Sequence, residues 1–264
     1  MVRMSVAPQD LRVRLLPSAV SGDGKLQYAT SYLVGDSVAI DAGSVGMYGG
    51  PAAQGLLRHV LLTHSHTDHI ASLPILLENT LTQDGPALEV WAGRETIACL
   101  NEDVFNDRVW PRLEVLRRPS GPALVLHELE SEREFKLGEL AVLPVAVDHT
   151  VPTLAFIVSN GRSSVVISGD SGPTQRLWQL AMARPELKAV FLEASFPDEL
   201  GELALVSKHL TPQSFAGERA KLKRELDFIA VHVKPRYREQ VLAQLRALDI
   251  PGLEIGVPGK EYRW

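Results

Sequence analysis

Cysteine is nearly absent. The 264 residues contain one, Cys99, so no internal disulfide can form. That favours a reducing compartment, and the cytoplasm is the expected location. Set in "TIACLNEDVF", Cys99 reads as a small buried hydrophobe rather than a nucleophile. Long uncharged apolar runs are also missing and the mean hydropathy is +0.01, so no membrane span is expected. Arg3, Asp10, Arg12 and Arg14 interrupt the N-terminal stretch, which makes a poor secretion signal. No run of Lys and Arg resembles a stripe that tracks phosphates, and the net charge is −5. Both weigh against a large nucleic acid as partner and leave a small molecule as the expected one. Internal repeats and low-complexity tracts are absent, and 45% hydrophobic content suits a single α/β domain over residues 1–264. Nothing excludes an oligomer.

What is present is an alternation of short β-branched runs with longer helical patterns. Strands are expected at 37–43, 59–64, 88–93, 140–147, 154–160, 164–170, 189–195, 228–234 and 253–259. Helices are expected near 94–107, 173–183, 212–226 and 235–248, with Thr211 as an N-cap before Pro212. Pro74 makes the stretch after Asp68 either a kinked helix or one that begins near Ser72. Residues 111–122 read as a loop.

Three of the eight histidines fall within "THSHTDHI", residues 63–70. His64 and His66 sit in a tight loop after an apolar strand, a spacing that aims two imidazoles at one cation. Asp68 and His69 begin the next element and point elsewhere, which suits a second ion better than further ligands on the first. His149, Asp170 and His232 each end an apolar strand, where ligands collect in layered α/β folds. Five histidines and two aspartates are enough for two divalent metal ions, with Zn²⁺ favoured and Mn²⁺ or Fe²⁺ compatible. His59 and His127 have no such context and read as surface or structural residues.

The order of "THSHTDHI", His149, Asp170 and His232 resembles the metallo-β-lactamase fold hydrolases. Stretches "FNDRVWPRL" (105–113), "SGDSGPT" (168–174), "FLEASFPDE" (191–199) and "VSKHLTP" (206–212) resemble, more narrowly, the class II cyclic-nucleotide phosphodiesterases of bacteria and fungi. Thr67 departs from the leucine usual there. The resemblance implies a four-layer αββα sandwich. It places His64, His66 and His149 on one metal and Asp68, His69 and His232 on the other, with Asp170 bridging. In "AIDAG", Asp41 would support the ligand loop without being a ligand. Asp68, His209 and Glu193 are the expected catalytic residues. His209 is the acid that protonates a leaving ribose oxygen, and Glu193 orients it. Hydrolysis of a 3′,5′-cyclic nucleotide to the monophosphate is the leading expectation. The alternatives are a tRNA 3′-processing endonuclease, a thioesterase or lactamase-type hydrolase, and a non-enzymatic binding protein. Tyr48, Phe105, Trp110 and Phe196 are able to stack on a base, but each reads first as core or loop packing.

Overall fold

A computed structural model describes residues 10–19, 24–81 and 85–264. Most of the N-terminal stretch read above, residues 1–9, lies outside the described residues.

Two seven-stranded sheets form the centre. In the first, Glu261–Arg263, Arg12–Leu15, Tyr32–Val34 and Val38–Ile40 are antiparallel neighbours, and His59–Leu61, Leu88–Ala92 and Leu124–Glu128 then add in parallel. In the second, Leu253–Ile255, Asp227–Val231, Leu187–Glu193 and Ser164–Ile167 are parallel, and Thr153–Ser159, Leu140–Val147 and Phe135–Leu137 continue antiparallel.

The period-2 alternation of strands decides which side chain enters which layer. Val165 and Ile167 face the other sheet and join Leu15, Ile40, Leu61 and Phe156 in the inner core. Val166, between them, faces outward among Leu177, Trp178, Phe215 and Leu242. Helices Arg176–Met182, Pro212–Lys221 and Arg238–Ala247 cover that outer face. Helix Leu73–Leu81 covers the outer face of the first sheet through Leu73, Leu76 and Leu77. The layers are therefore helix, sheet, sheet, helix, as the resemblance implies. The central strands are apolar on both faces, so they read as continuous hydrophobic runs.

Several boundaries differ from expectation. The helix expected over 94–107 is α-helical over Arg94–Cys99 and widens to a π-turn over Leu100–Val104. Around Asp68 the chain makes one helical turn, Thr67–Ile70, and restarts at Leu73. Ser72 holds that break: its hydroxyl donates to Ala42 O at 2.7 Å and accepts Gly46 N–H at 2.9 Å. Pro74 then sits in a first turn, where its missing N–H costs nothing. Within the expected loop 111–122, Arg117–Arg118 pairs with Gly121–Pro122. Strands at Arg12–Leu15, Tyr32–Val34, Leu124–Glu128, Phe135–Leu137 and Glu261–Arg263, and helix Gly201–Ser207, add to the expected set. Among the described residues, no helix is long and apolar enough to cross a membrane.

Candidate metal centre

Most of the loops that carry the chemistry leave the C-terminal ends of parallel strands, His149 follows the antiparallel strand Leu140–Val147, and all meet at one edge of the sandwich. The first support is Asp41, buried after strand Val38–Ile40 with φ 58. Its Oδ1 accepts the Thr63 N–H at 2.8 Å, and its Oδ2 lies 2.7 Å from His69 Nδ1. The Thr63 hydroxyl is 2.9 Å from both Asp41 oxygens and 2.9 Å from His64 Nδ1. It donates to the carboxylate and accepts from the imidazole. Both rings are thereby gripped at Nδ1, and both turn Nε2 toward the centre. The supporting loop lies very close: a Cβ at Gly43 would stand 1.9 Å from Asp68 O, so only glycine fits.

Three nitrogens converge first. His64 Nε2 is 3.0 Å from His66 Nδ1, which is 3.2 Å from His149 Nε2. A tetrahedral ion with bonds of about 2.0–2.1 Å separates its nitrogen ligands by about 3.3 Å, so the spacing fits one cation. Burial and then the neighbouring His69 push His64 well below the ordinary imidazole pKa, toward the neutral form a metal requires. The rear of His149 is held by a backbone carbonyl, Lys208 O, at 3.2 Å from its Nδ1.

Asp68, His69, Asp170 and His232 converge beside this trio. His69 Nε2 and His232 Nε2 are 3.3 Å apart, and Asp68 Oδ2 is 3.3 Å from His232 Nε2. Asp170 Oδ1 lies 3.4 Å from His69 Nε2 and 3.1 Å from His232 Nε2, while its Oδ2 lies 4.0 Å from His64 Nε2. One oxygen faces each group. Oδ1 is buried without a hydrogen-bond partner, the condition a shared cation would relieve. Burial, the largest single influence, favours neutral His232, but Asp170 and Asp68 together outweigh it and raise the pKa to about 9. The same negative field attracts a divalent ion.

A third unit stands beside Asp170. His209 Nδ1 is 2.7 Å from Glu193 Oε1, and its Nε2 is 3.9 Å from Asp170 Oδ2. Glu193 is fully buried yet well satisfied. It also accepts the Ser171 N–H at 2.9 Å, the Ser195 hydroxyl at 2.6 Å and the Leu210 N–H at 3.2 Å. Four contacts fix the carboxylate, and the carboxylate fixes the ring. His149, Asp170 and His209 also present ligand atoms within 4.8 Å of one another.

The fold thus brings together His64, His66, Asp68, His69, His149, Asp170, His232, His209 and Glu193, with Asp41 behind them. Sequence reasoning passes over Thr63, Ser195 and Lys208, although each lies inside a motif already singled out. Of the four aromatic residues, Phe196 alone flanks the centre, its ring 5.6 Å from that of His209. Tyr48 accepts a hydrogen bond from Arg14, while Phe105 and Trp110 pack with the outer core of the first sheet. Cys99 is half-buried rather than buried. Burial and then Asp103 push its thiol pKa up, which disfavours the nucleophilic thiolate.

Residues 50–247 match the family description "Beta-lactamase superfamily domain". An uncharacterized protein of Mycobacterium leprae is 28% identical over 205 residues, 72% of this chain and 64% of that protein. A 3′,5′-cyclic-nucleotide phosphodiesterase of Candida albicans is 27% identical over 93 residues, 35% of this chain and 20% of that enzyme. The chain therefore spans less than two thirds of the length of either curated relative. The unliganded crystal structure of yeast PDE1 superposes with a TM-score of 0.76 at 16% identity, covering 97% of this chain and all of that one. On the family match and the fold together, the chain belongs to the beta-lactamase superfamily and has the metallo-β-lactamase fold.

Proposed function

We propose that the chain works as one hydrolase domain with two divalent metal ions, and that it cleaves a phosphodiester, a 3′,5′-cyclic nucleotide to the monophosphate. His64, His66 and His149 would hold one ion, Asp68, His69 and His232 the other, and Asp170 both. The imidazole-rich donor set favours zinc, and manganese or iron is compatible with it. Bound ions would acidify water and offset the charge of the phosphoryl oxygens.

The buried Glu193–His209 pair carries the reading. Glu193 holds a proton on Nδ1 of His209, so a second proton on the imidazolium sits at Nε2, the atom that faces the centre. A ribose hydroxyl leaves poorly without a proton, and Nε2 supplies it. Asp68 is the more open of the two ligand carboxylates, with 30% of its side chain accessible against 2% for Asp170. In this reading it takes the proton of the attacking water. A thioester or lactam hydrolase would not need such a buried acid pair. A tRNA 3′-processing endonuclease would share it, so precursor tRNA belongs in the same assay as cyclic AMP.

The test is the leaving group. With metal content matched, His209→Ala should lose about 10²–10⁴-fold on a cyclic nucleotide. It should lose much less on a nitrophenyl phosphodiester, because nitrophenolate departs without a proton. Equal losses on both would make His209 a phosphate binder or a further ligand. Absence of monophosphate from cyclic AMP at every metal loading would remove that substrate.

A further inference from the structure

Two buried hydroxyls make the same pattern of contacts. The first is Thr63, which donates to Asp41 and lies 2.9 Å from His64 Nδ1, while Asp41 itself lies 2.7 Å from His69 Nδ1. The second is Ser195. Its Oγ is 2.6 Å from Glu193 Oε2 and 3.4 Å from His232 Nδ1, while Glu193 Oε1 lies 2.7 Å from His209 Nδ1. In each unit a fully buried carboxylate holds one imidazole directly and reaches a second through a hydroxyl. The units differ in what they serve. Around Asp41 both rings belong to the two groups of converging ligands. Around Glu193 one ring is His232, of the group with Asp68, His69 and Asp170, and the other is His209, the acid proposed above.

A hydroxyl has one proton to give, and its destination sets the direction of the chain. Glu193 Oε2 is a carboxylate oxygen and the nearer acceptor, and the His232 carbonyl, at 3.1 Å, is the weaker competitor. Ser195 therefore donates to Glu193 and can only accept from a ring. His209 Nδ1 also lies 3.3 Å from Oγ, but it is closer to Glu193 Oε1 and its proton goes there. That leaves Oγ to His232. Among the described residues, Nδ1 of His232 has no other hydrogen-bond partner. A proton is thus held on Nδ1, and Nε2 is the nitrogen left for a cation, between Asp68 at 3.3 Å and Asp170 at 3.1 Å. The backbone repeats the connection. Ser195 N–H donates to Leu210 O at 3.0 Å, next to His209, and Ser195 O accepts the Lys234 N–H at 3.4 Å, two residues past His232. His232 has φ 55, a left-handed conformation that persists only where its surroundings hold it.

We propose that Ser195 is a positioning residue that joins the acid to the second metal position. Ligation at His232 Nε2 fixes the ring, the ring fixes Oγ, and Oγ fixes Oε2 of Glu193. Filling that position and aligning His209 are then one event and not two. The inference rests on the two-metal, acid-assisted reaction proposed above and adds a connection between its two parts. Loss of the hydroxyl would strand two buried groups at once, the Nδ1 proton of His232 and one acceptor site of Glu193.

Two measurements test it. The first uses Ser195→Ala. In competition with a chelator, one of the two bound ions should be held about 10–100-fold more weakly, and the other as in wild type. With both positions saturated, kcat on the cyclic nucleotide should fall about tenfold, and less on the nitrophenyl phosphodiester. The second measurement follows exchange of the His209 Nδ1 proton with water by NMR, as Zn²⁺ is added to metal-free wild type. Exchange should slow in the step that shifts the His232 resonances, and Ser195→Ala should abolish that slowing. Unchanged affinity for both ions in the variant, or slowing that survives in it, would overturn the link. Exchange that ignores Zn²⁺ in wild type would overturn it without recourse to any variant. If His209→Ala separates the two substrates and Ser195→Ala does not, the acid stands and the link fails. If neither substrate is hydrolysed, yet the affinity loss and the exchange response are both seen, the link stands and the proposed reaction fails.

Discussion

Strand His59–Leu61 has a histidine at its start and another, His64, just past its end, and the two have different surroundings. His59 Nδ1 lies 3.1 Å from Glu89 Oε2, and His127 Nε2 lies 3.9 Å from the same oxygen. His127 stacks on Trp91 with ring centroids 4.0 Å apart and planes 14° from parallel. Two imidazoles and a carboxylate are present, yet no described set of three converging ligands includes either histidine. At the other end, His64 and His69 are each gripped at Nδ1 by Thr63 or Asp41, and each presents Nε2 to its own group of converging ligands. Residue types alone do not make a metal centre. What separates the two ends is a second row of acceptors that fixes which nitrogen faces inward.

The sharpest test removes charge from the shared ligand. Asp170→Asn keeps the shape of the side chain but leaves two cations without a common carboxylate. Metal content should fall from about two ions per chain to one or none, and turnover should fall further than in His209→Ala. The matched change at the other end, Glu89→Gln, should leave metal content alone. Metal analysis by plasma mass spectrometry on both variants decides it. Full metal and rate in Asp170→Asn would reduce that residue to a turn former.

A smaller effect is expected from the acceptor row itself. Asp41→Asn preserves size but can no longer accept from Thr63 and His69 together. Affinity for the ion at His69 should drop about 10–100-fold, as for other residues that orient ligands without touching the metal. Competition with a chelator measures it. A variant that matched wild type would leave backbone placement, not Asp41, as the cause of His69 orientation.

The legible parts of this molecule are those with a local signature. Strand Leu140–Val147 is readable to the residue because an eight-residue apolar run has few alternatives. The site residues are readable as candidates because polar groups at the ends of apolar runs stand out. Short strands such as Arg12–Leu15 escape such a reading: "RVRL" is held by pairing with residues 261–263, far away in sequence. The outward step of Gly201–Ser207, with Leu205 and Val206 exposed, runs against the rule that apolar residues signal burial. Spatial pairs such as Gln27 with His232 leave no local trace, since their members share no segment.

The smallest effect concerns the end without a metal centre and sharpens the comparison from that side. Burial, the largest influence, lowers the pKa of His59 from its ordinary 6.5, and His127 and Arg58 push the same way against the opposing Glu89. A folded-state value below the unfolded one means that the unfolded chain binds the proton first as pH falls. The stability this group contributes is therefore present above pH 6.5 and is lost as pH drops toward the lower folded value. His59→Gln removes the titration and keeps a polar side chain of similar reach. Wild type and variant, both metal-loaded, should be unfolded in urea at pH 8 and again at pH 5.5. The wild-type midpoint should fall more on acidification than that of the variant, because only the wild type carries this proton linkage at position 59. The metal-site histidines are common to both proteins and cancel in the difference. Parallel losses in the two would mean that His59 titrates alike in folded and unfolded chains, and that its placement beside Glu89 and Trp91 has no electrostatic consequence.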